Sequence, residues 1–196
     1  MTIYDRMLDT KSLDVAISEL LVATADGCDA ELDRQITVIL ELLRRELGMD
    51  VVFVSEFVDG QRVFRFVEAA DDSAGLRTGD AGPLEESYCQ RVVQGKLHEL
   101  VHDASAVAGQ PNLPKTAVAV GAHLSTPVVL ADGRVYGTVC CFSRTPNPQL
   151  QSADLERLRQ CAKLVAIKVD PGKRADFADT VPDWTLVPLE QSPWQR

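Results

Sequence analysis

Apolar residues recur along this chain with two different periods, and the periods mark its elements. Leu13, Ile17, Leu20 and Leu21 stand three and four residues apart, the spacing of one face of an α-helix. Gly27 stops that run. Leu32, Ile36, Ile39, Leu40, Leu43 and Leu47 resume it, with Arg34, Glu41, Arg44 and Arg45 between them and Gly48 just beyond. The pattern predicts two amphipathic helices over residues 11–47, or one helix broken near Gly27. From residue 50 the period falls to two. DVVFVSEFV (50–58) and QRVFRFVEA (61–69) flank Asp59-Gly60, a two-residue hairpin signal with the positive-φ preference such turns need. Simple alternation puts Arg62, Phe64, Phe66 and Glu68 on one face of the second strand and Val63, Arg65 and Val67 on the other.

Residues 70–83 are rich in Gly and Asp, close on Pro83 and read as a loop. A helix is predicted over 84–95, opened by Glu85 and Glu86, carrying Arg91 late and ended by Gly95, the charge order a helix dipole favours. A short strand over 97–101 leads to Asp103, and a loop with Gly109, Pro111 and Pro114 follows. GAHLSTPVVL (121–130) and RVYGTVCCFS (134–143) flank Asp132-Gly133, a second hairpin with the same turn residues. Residues 152–169 form the last helix, capped by Ser152 and lined on one side by Leu155, Leu158, Cys161, Ala162, Val165 and Val169. From Asp170 the tail carries four prolines and two tryptophans and reads as a linker or a docked extended arm. The reading is an α+β domain: a central antiparallel sheet, the N- and C-terminal helices on one face, and a loop-and-helix lid over a pocket on the other.

Composition narrows the function. The chain has 196 residues, 45% hydrophobic and 25% charged, a globular balance. Lys plus Arg is 20 against 29 Asp plus Glu, a net charge of −9, and no basic run interrupts it. That excludes a general nucleic-acid binder and a polybasic membrane contact. Five cysteines without a Cys-x-x-Cys spacing argue against a disulfide framework or zinc ribbon and for reduced thiols in the cytoplasm. The polar N-terminus has no signal-peptide core, and no apolar run is long enough to span a bilayer. No Ser-His-Asp order, phosphate loop or metal spacing is present.

The segment PLEESYCQRVVQGKL, the strand and Asp103 after it, and GAHLSTPVVLADGRVYGTVCCFS with its following helix resemble the GAF domain, a PAS-related small-molecule sensing module of signalling proteins. The resemblance covers roughly residues 30–169, and Gly137 matches a glycine common in that family. It divides the chain into an N-terminal helical segment (1–29), the GAF-like domain (30–169) and a tail (170–196). It implies a non-enzymatic sensor that binds a small molecule between sheet and lid, signals through its terminal helices and acts on a separate partner. The apolar stripes of those helices suggest a homodimer.

The family's ligands sit near the segment around Ser87–Cys89, which nominates Tyr88 and Cys89, with Asp103 close by. Strand alternation then nominates Phe53, Ser55 and Phe57 on the first strand and Leu124, Thr126 and Val128 on the strand over 121–130. On the last strand it nominates Thr138, Cys140 and Phe142, with Tyr136 on the same face. Six acidic residues, Glu68, Asp71, Asp72, Asp80, Glu85 and Glu86, gather at the predicted lid. They disfavour an anionic ligand unless Arg65, Arg77 or Arg91 turns inward.

The resemblance also carries alternatives. One branch reduces free methionine sulfoxide through cysteines, which would give Cys89 a catalytic role; residues 90–139 hold no second cysteine to resolve it. Glu85 and Glu86 just before Cys89 would raise its pKa, and adjacent Cys140 and Cys141 point to opposite faces and read as packing residues. A bilin is disfavoured because no Cys-His pair occurs. A haem would need His98, His102 or His123 in the pocket. A ligand-free interaction and dimerisation module is the remaining alternative, and the ligand itself is left open.

Overall fold

The computed structural model describes residues 13, 15–17, 29–71, 75–106, 116 and 118–170. The break near Gly27 and the tail beyond Asp170 lie outside the described residues. Helix α1 spans Asp29–Glu46, strand β1 Val51–Val58, β2 Gln61–Ala69 and β3 Ala81–Pro83. A 3-10 turn over Leu84–Glu86 leads into helix α2, Tyr88–Val93. Strand β4 is Leu100–Val101, β5 Ala122–Val129, β6 Val135–Ser143, and helix α3 Ser152–Val169. The strands form one antiparallel sheet in the order β3-β2-β1-β6-β5-β4.

The two terminal helices pack on one face of this sheet. Ile36, Ile39, Leu40 and Leu43 of α1 and Leu158, Cys161, Ala162 and Val165 of α3 are buried in one cluster. Val52 and Val54 of β1, Leu124 and Val128 of β5, and Val139 and Cys141 of β6 share it. Leu13, Ala16 and Ile17, helical and buried, belong to the same core, so part of segment 1–29 packs as one body with the domain. Among the described residues these apolar positions are packed within one chain. A Lys168–Asp33 ion pair and the Lys168 ammonium over the Phe66 ring tie α3 to α1 and β2.

Local chemistry explains most boundaries. Asp59 and Gly60 take φ of 50° and 72°, the pair of left-handed residues a tight hairpin needs. The second hairpin is built differently: Gly133 donates to the Leu130 carbonyl, and Asp132 is not left-handed. Asp132 instead accepts the Arg134 N–H through its carboxylate. The helix predicted over 84–95 is split at Ser87, whose hydroxyl accepts the Gln90 N–H and starts α2 afresh. The cap of α3 is Gln151, one residue before the predicted Ser152; a capping box with Asp154 satisfies both ends.

Two bulges break the period-two reading. On β2 the pairing slips between Val54 and Ser55, leaving Arg65 without an opposite residue. Phe64 therefore packs on the lid side while Phe66 packs on the helix side, although simple alternation places them together. On β6 the pairing slips past Tyr136, and Tyr136 joins the helix-side core rather than the face of Thr138. An inserted residue reverses the facing of everything beyond it.

Candidate functional site

On the sheet face away from the helices, β1, β2 and β6 present Phe53, Phe64, Cys140 and Phe142, all buried, with Cys89 of α2 laid over them. A cavity of about 220 Å³ opens here. Phe53, Arg62, Phe64 and Phe142 form its sheet wall. His123 of β5 adds to that wall, Tyr88, Cys89, Val118, Val120, Leu76 and Thr116 form the lid side, and Gly82, Pro83 and Glu86 lie alongside. The lining is mostly apolar with a few polar groups, the make-up of a small-molecule site.

Arg62 is the charged member of the wall. Its guanidinium lies 4.6 Å from the Phe64 ring centroid and 5.9 Å from that of Phe53, close enough for cation–π attraction. Those rings meet edge to face at 4.9 Å. His123 tilts against Tyr88 at 5.3 Å and is buried. Arg62 Nε and His123 Nδ1 are both buried without a hydrogen-bond partner among the described residues, which leaves an unused donor on Arg62 and an unused ring nitrogen on His123 at the cavity.

Beneath Cys89 runs a buried chain of hydroxyls and thiols. Ser55 Oγ and Thr138 Oγ1 are 3.0 Å apart. Cys140 Sγ donates to Thr138 Oγ1 at 3.3 Å, stands 2.7 Å from Ser125 Oγ, and lies 3.0 Å from Cys89 Sγ. The hydrogen bond with Cys140 lowers the Cys89 pKa well below the usual thiol value against the opposing effect of burial, and His123 and Arg62 reinforce it. Glu85 and Glu86 do not act on Cys89 as the sequence suggests, because they lie in the separate 3-10 turn and are exposed. Burial and the neighbouring Cys89 push Cys140 well up. On the opposite face burial raises Cys141, and it pushes Cys161 up to about 12.

The nominated residues divide between the two faces. Phe53, Tyr88, Cys89 and Phe142 line the cavity. Ser55, Thr138 and Cys140 lie in the buried polar chain under it, and Phe57 packs at the edge of the same cluster. The fifth strand is set one residue off from the prediction. Leu124 and Val128 belong to the helix-side core, and Thr126 donates to Glu99, itself paired with Arg159 of α3. The neighbours His123 and Ser125 face the lid side instead. Ser125 lies opposite Cys140, whereas Leu124 lies opposite Cys141, so β6 fixes this register. Asp103 is away from the cavity: its carboxylate accepts from the N–H and hydroxyl of Ser105, which lowers its pKa and shapes the turn after β4.

Among the lining residues not nominated from the sequence are Arg62 and Phe64, and His123 was named only as a possible haem contact. Alternation of β2 grouped Arg62 with Phe64, but nothing in the sequence turned that face toward the pocket. Arg65, Arg77 and Arg91, any of which turning inward would have offset the acidic lid, do not line the cavity. Arg65 pairs with Glu56, Arg77 sits in the turn held by Asp80, and Arg91 reaches the Glu85 carbonyl. Among the described residues no cluster of three or more His, Cys, Asp or Glu is set to hold a metal ion. None of their helices is long and apolar enough to cross a membrane.

A helix-backed antiparallel sheet with a lidded cavity on its other face is the architecture of a sensory α+β module. The GAF domain description matches residues 31–169, and the chain belongs to that family. Solved structures agree on the fold. The GAF domain of an Acinetobacter phosphoenolpyruvate-protein phosphotransferase is 13% identical, with a TM-score of 0.60 over 92% of this chain and 98% of that one. A phycocyanobilin-bound GAF domain from a cyanobacterial phytochrome is 14% identical, with a TM-score of 0.63 over 85% and 98%. The free methionine-R-sulfoxide reductase of Neisseria meningitidis, in complex with its substrate, is 16% identical, with a TM-score of 0.57 over 85% and 90%. No curated protein matches the chain. At these identities the likeness concerns the fold, and the neighbours differ in what they bind.

Proposed function

We propose that this GAF domain is a regulatory sensor whose cavity takes a compact ligand with an apolar body and an anionic end. The observation that carries it is Arg62, held over two phenyl rings on the cavity wall with Nε buried and unpartnered. His123 supplies a second unused nitrogen nearby. A free guanidinium in an aromatic wall favours a carboxylate-like group. The volume of about 220 Å³ is below the roughly 300–1,000 Å³ of drug-sized pockets, which suits a small acid and not a tetrapyrrole. Binding would order the lid around α2 and be read by a partner at the helix layer.

The test is thermal unfolding of the full chain with benzoate and a set of short-chain carboxylates. A ligand at about 100 times its Kd adds roughly 2.7 kcal/mol, or about 5–11 °C in Tm for a chain of this size. Arg62→Ala should abolish the shift. No shift with any carboxylate, or an equal shift in Arg62→Ala, refutes the reading.

A second reading is a thiol-dependent reductase acting on free methionine sulfoxide. Cys89 at the cavity with Cys140 at 3.0 Å supplies the second thiol that the sequence between residues 90 and 139 lacks. Turnover lost in Cys89→Ser would favour it over the sensor.

A further inference from the structure

Two of the chain's thiols meet although 51 positions separate them. Cys89 comes from α2 and Cys140 from the middle of the sheet. Their sulfurs are 3.0 Å apart, so closing a bond of about 2.05 Å requires an approach of only about 1 Å. The surroundings are asymmetric in a useful way. Cys89 lines the cavity; Cys140 does not, and lies behind it against Ser125 and Thr138. A small reagent entering the cavity therefore meets Cys89 first and Cys140 second. Cys141 and Cys161 lie in the helix-side core, and neither lines this cavity.

We propose that Cys89 and Cys140 form a reversible dithiol–disulfide switch that responds to small hydroperoxides entering the cavity. This goes beyond the ligand reading and does not depend on it. The Cys89 thiolate attacks the terminal oxygen of the hydroperoxide. The O–O bond breaks, the leaving alkoxide or hydroxide takes a proton, and Cys89 becomes a sulfenic acid. The Cys140 sulfur then attacks the Cys89 sulfur. The S–S bond forms, its S–OH bond breaks, and the Cys140 proton leaves with the hydroxyl as water. Two thiols are oxidised and one peroxide is reduced. A small dithiol reductant reverses the change by exchange. The depressed Cys89 pKa supports its role as the attacking thiol. The bond would pin α2 to β6 and so fix one wall of the cavity.

The experiment treats the full chain with hydrogen peroxide, alkylates it under denaturing conditions and maps its peptides. The expected result is a loss of two alkylation sites and a peptide linking Cys89 to Cys140, both reversed by dithiothreitol. Cys141→Ser should leave the link unchanged. Cys140→Ser should stop Cys89 at a sulfenic acid trapped by dimedone. Retention of both thiols under peroxide, or a link joining other cysteines, overturns the proposal. If Cys140→Ser fails to fold, the mapping of the unsubstituted chain and of Cys141→Ser still decides it.

Discussion

Gly137→Ala is expected to destabilise the domain by about 3–5 kcal/mol. Gly137 lies in β6 between Glu56 of β1 and Val128 of β5. A Cβ there would collide with the Ser55 carbonyl oxygen and stand 2.7 Å from that carbonyl carbon and 2.9 Å from the Glu56 Cα. Carbon contacts settle at about 3.5–4.0 Å, and these atoms are backbone, so no side chain can swing away. The two central strands must part by about 1 Å. Overpacking of this kind costs about 1–3 kcal/mol, and each ladder hydrogen bond loosened adds about 1 kcal/mol. The Ser55–Thr138 hydroxyl pair lies at the same level and is disturbed with them. Melting followed by far-ultraviolet circular dichroism should show Tm falling by roughly 6–20 °C. Gly82→Ala is the control: its added Cβ meets nothing within 4 Å, and it should change stability by less than about 0.5 kcal/mol. A Gly137→Ala protein that melts with its parent would refute the close-approach reasoning.

Other outcomes follow from the same geometry. Leu124→Ala should cost about 2–5 kcal/mol, since Leu124 is fully buried among the helix-side residues; a ligand-induced Tm shift should survive it, and loss of that shift would put Leu124 back on the pocket face. Burial first, then Glu41, raises the Glu68 carboxyl pKa, so ionised Glu68 opposes folding. That opposition is absent below its unfolded pKa of about 4.3 and grows as pH rises through the raised folded value. Glu68→Gln should therefore melt with its parent near pH 4 and above it at pH 7, by about 0.5 kcal/mol at most. An advantage for the variant that shrank between pH 4 and pH 7 would reverse the sign.

The framework was legible because each element announces itself locally. Asp59-Gly60 set the first hairpin, and the apolar spacing of residues 152–169 marked a helix that runs over those residues. Facing was less legible, since one extra residue in a strand changes it. The bulges at Arg65 and Tyr136 leave no mark on the alternation, and β5 takes its register from contact with β6. Cys140 was read as a packing residue because its partner lies 51 positions away, and only the juncture of α2 with the sheet brings them together. Arg62 escaped for a related reason: an arginine at a strand start reads as a solvent residue until two phenyl rings are seen beneath it.

The outermost strands of the sheet are very short. On one side is Ala81–Pro83, on the other Leu100–Val101. A visiting strand pairing with either would find three residues of ladder in β3, one of them a proline with no N–H to give, or two in β4. Those two strands are thus poor templates for extension by another chain, whether a copy or an unfolded neighbour. Whatever crowds this domain in the cell meets little to zip onto at these two strands.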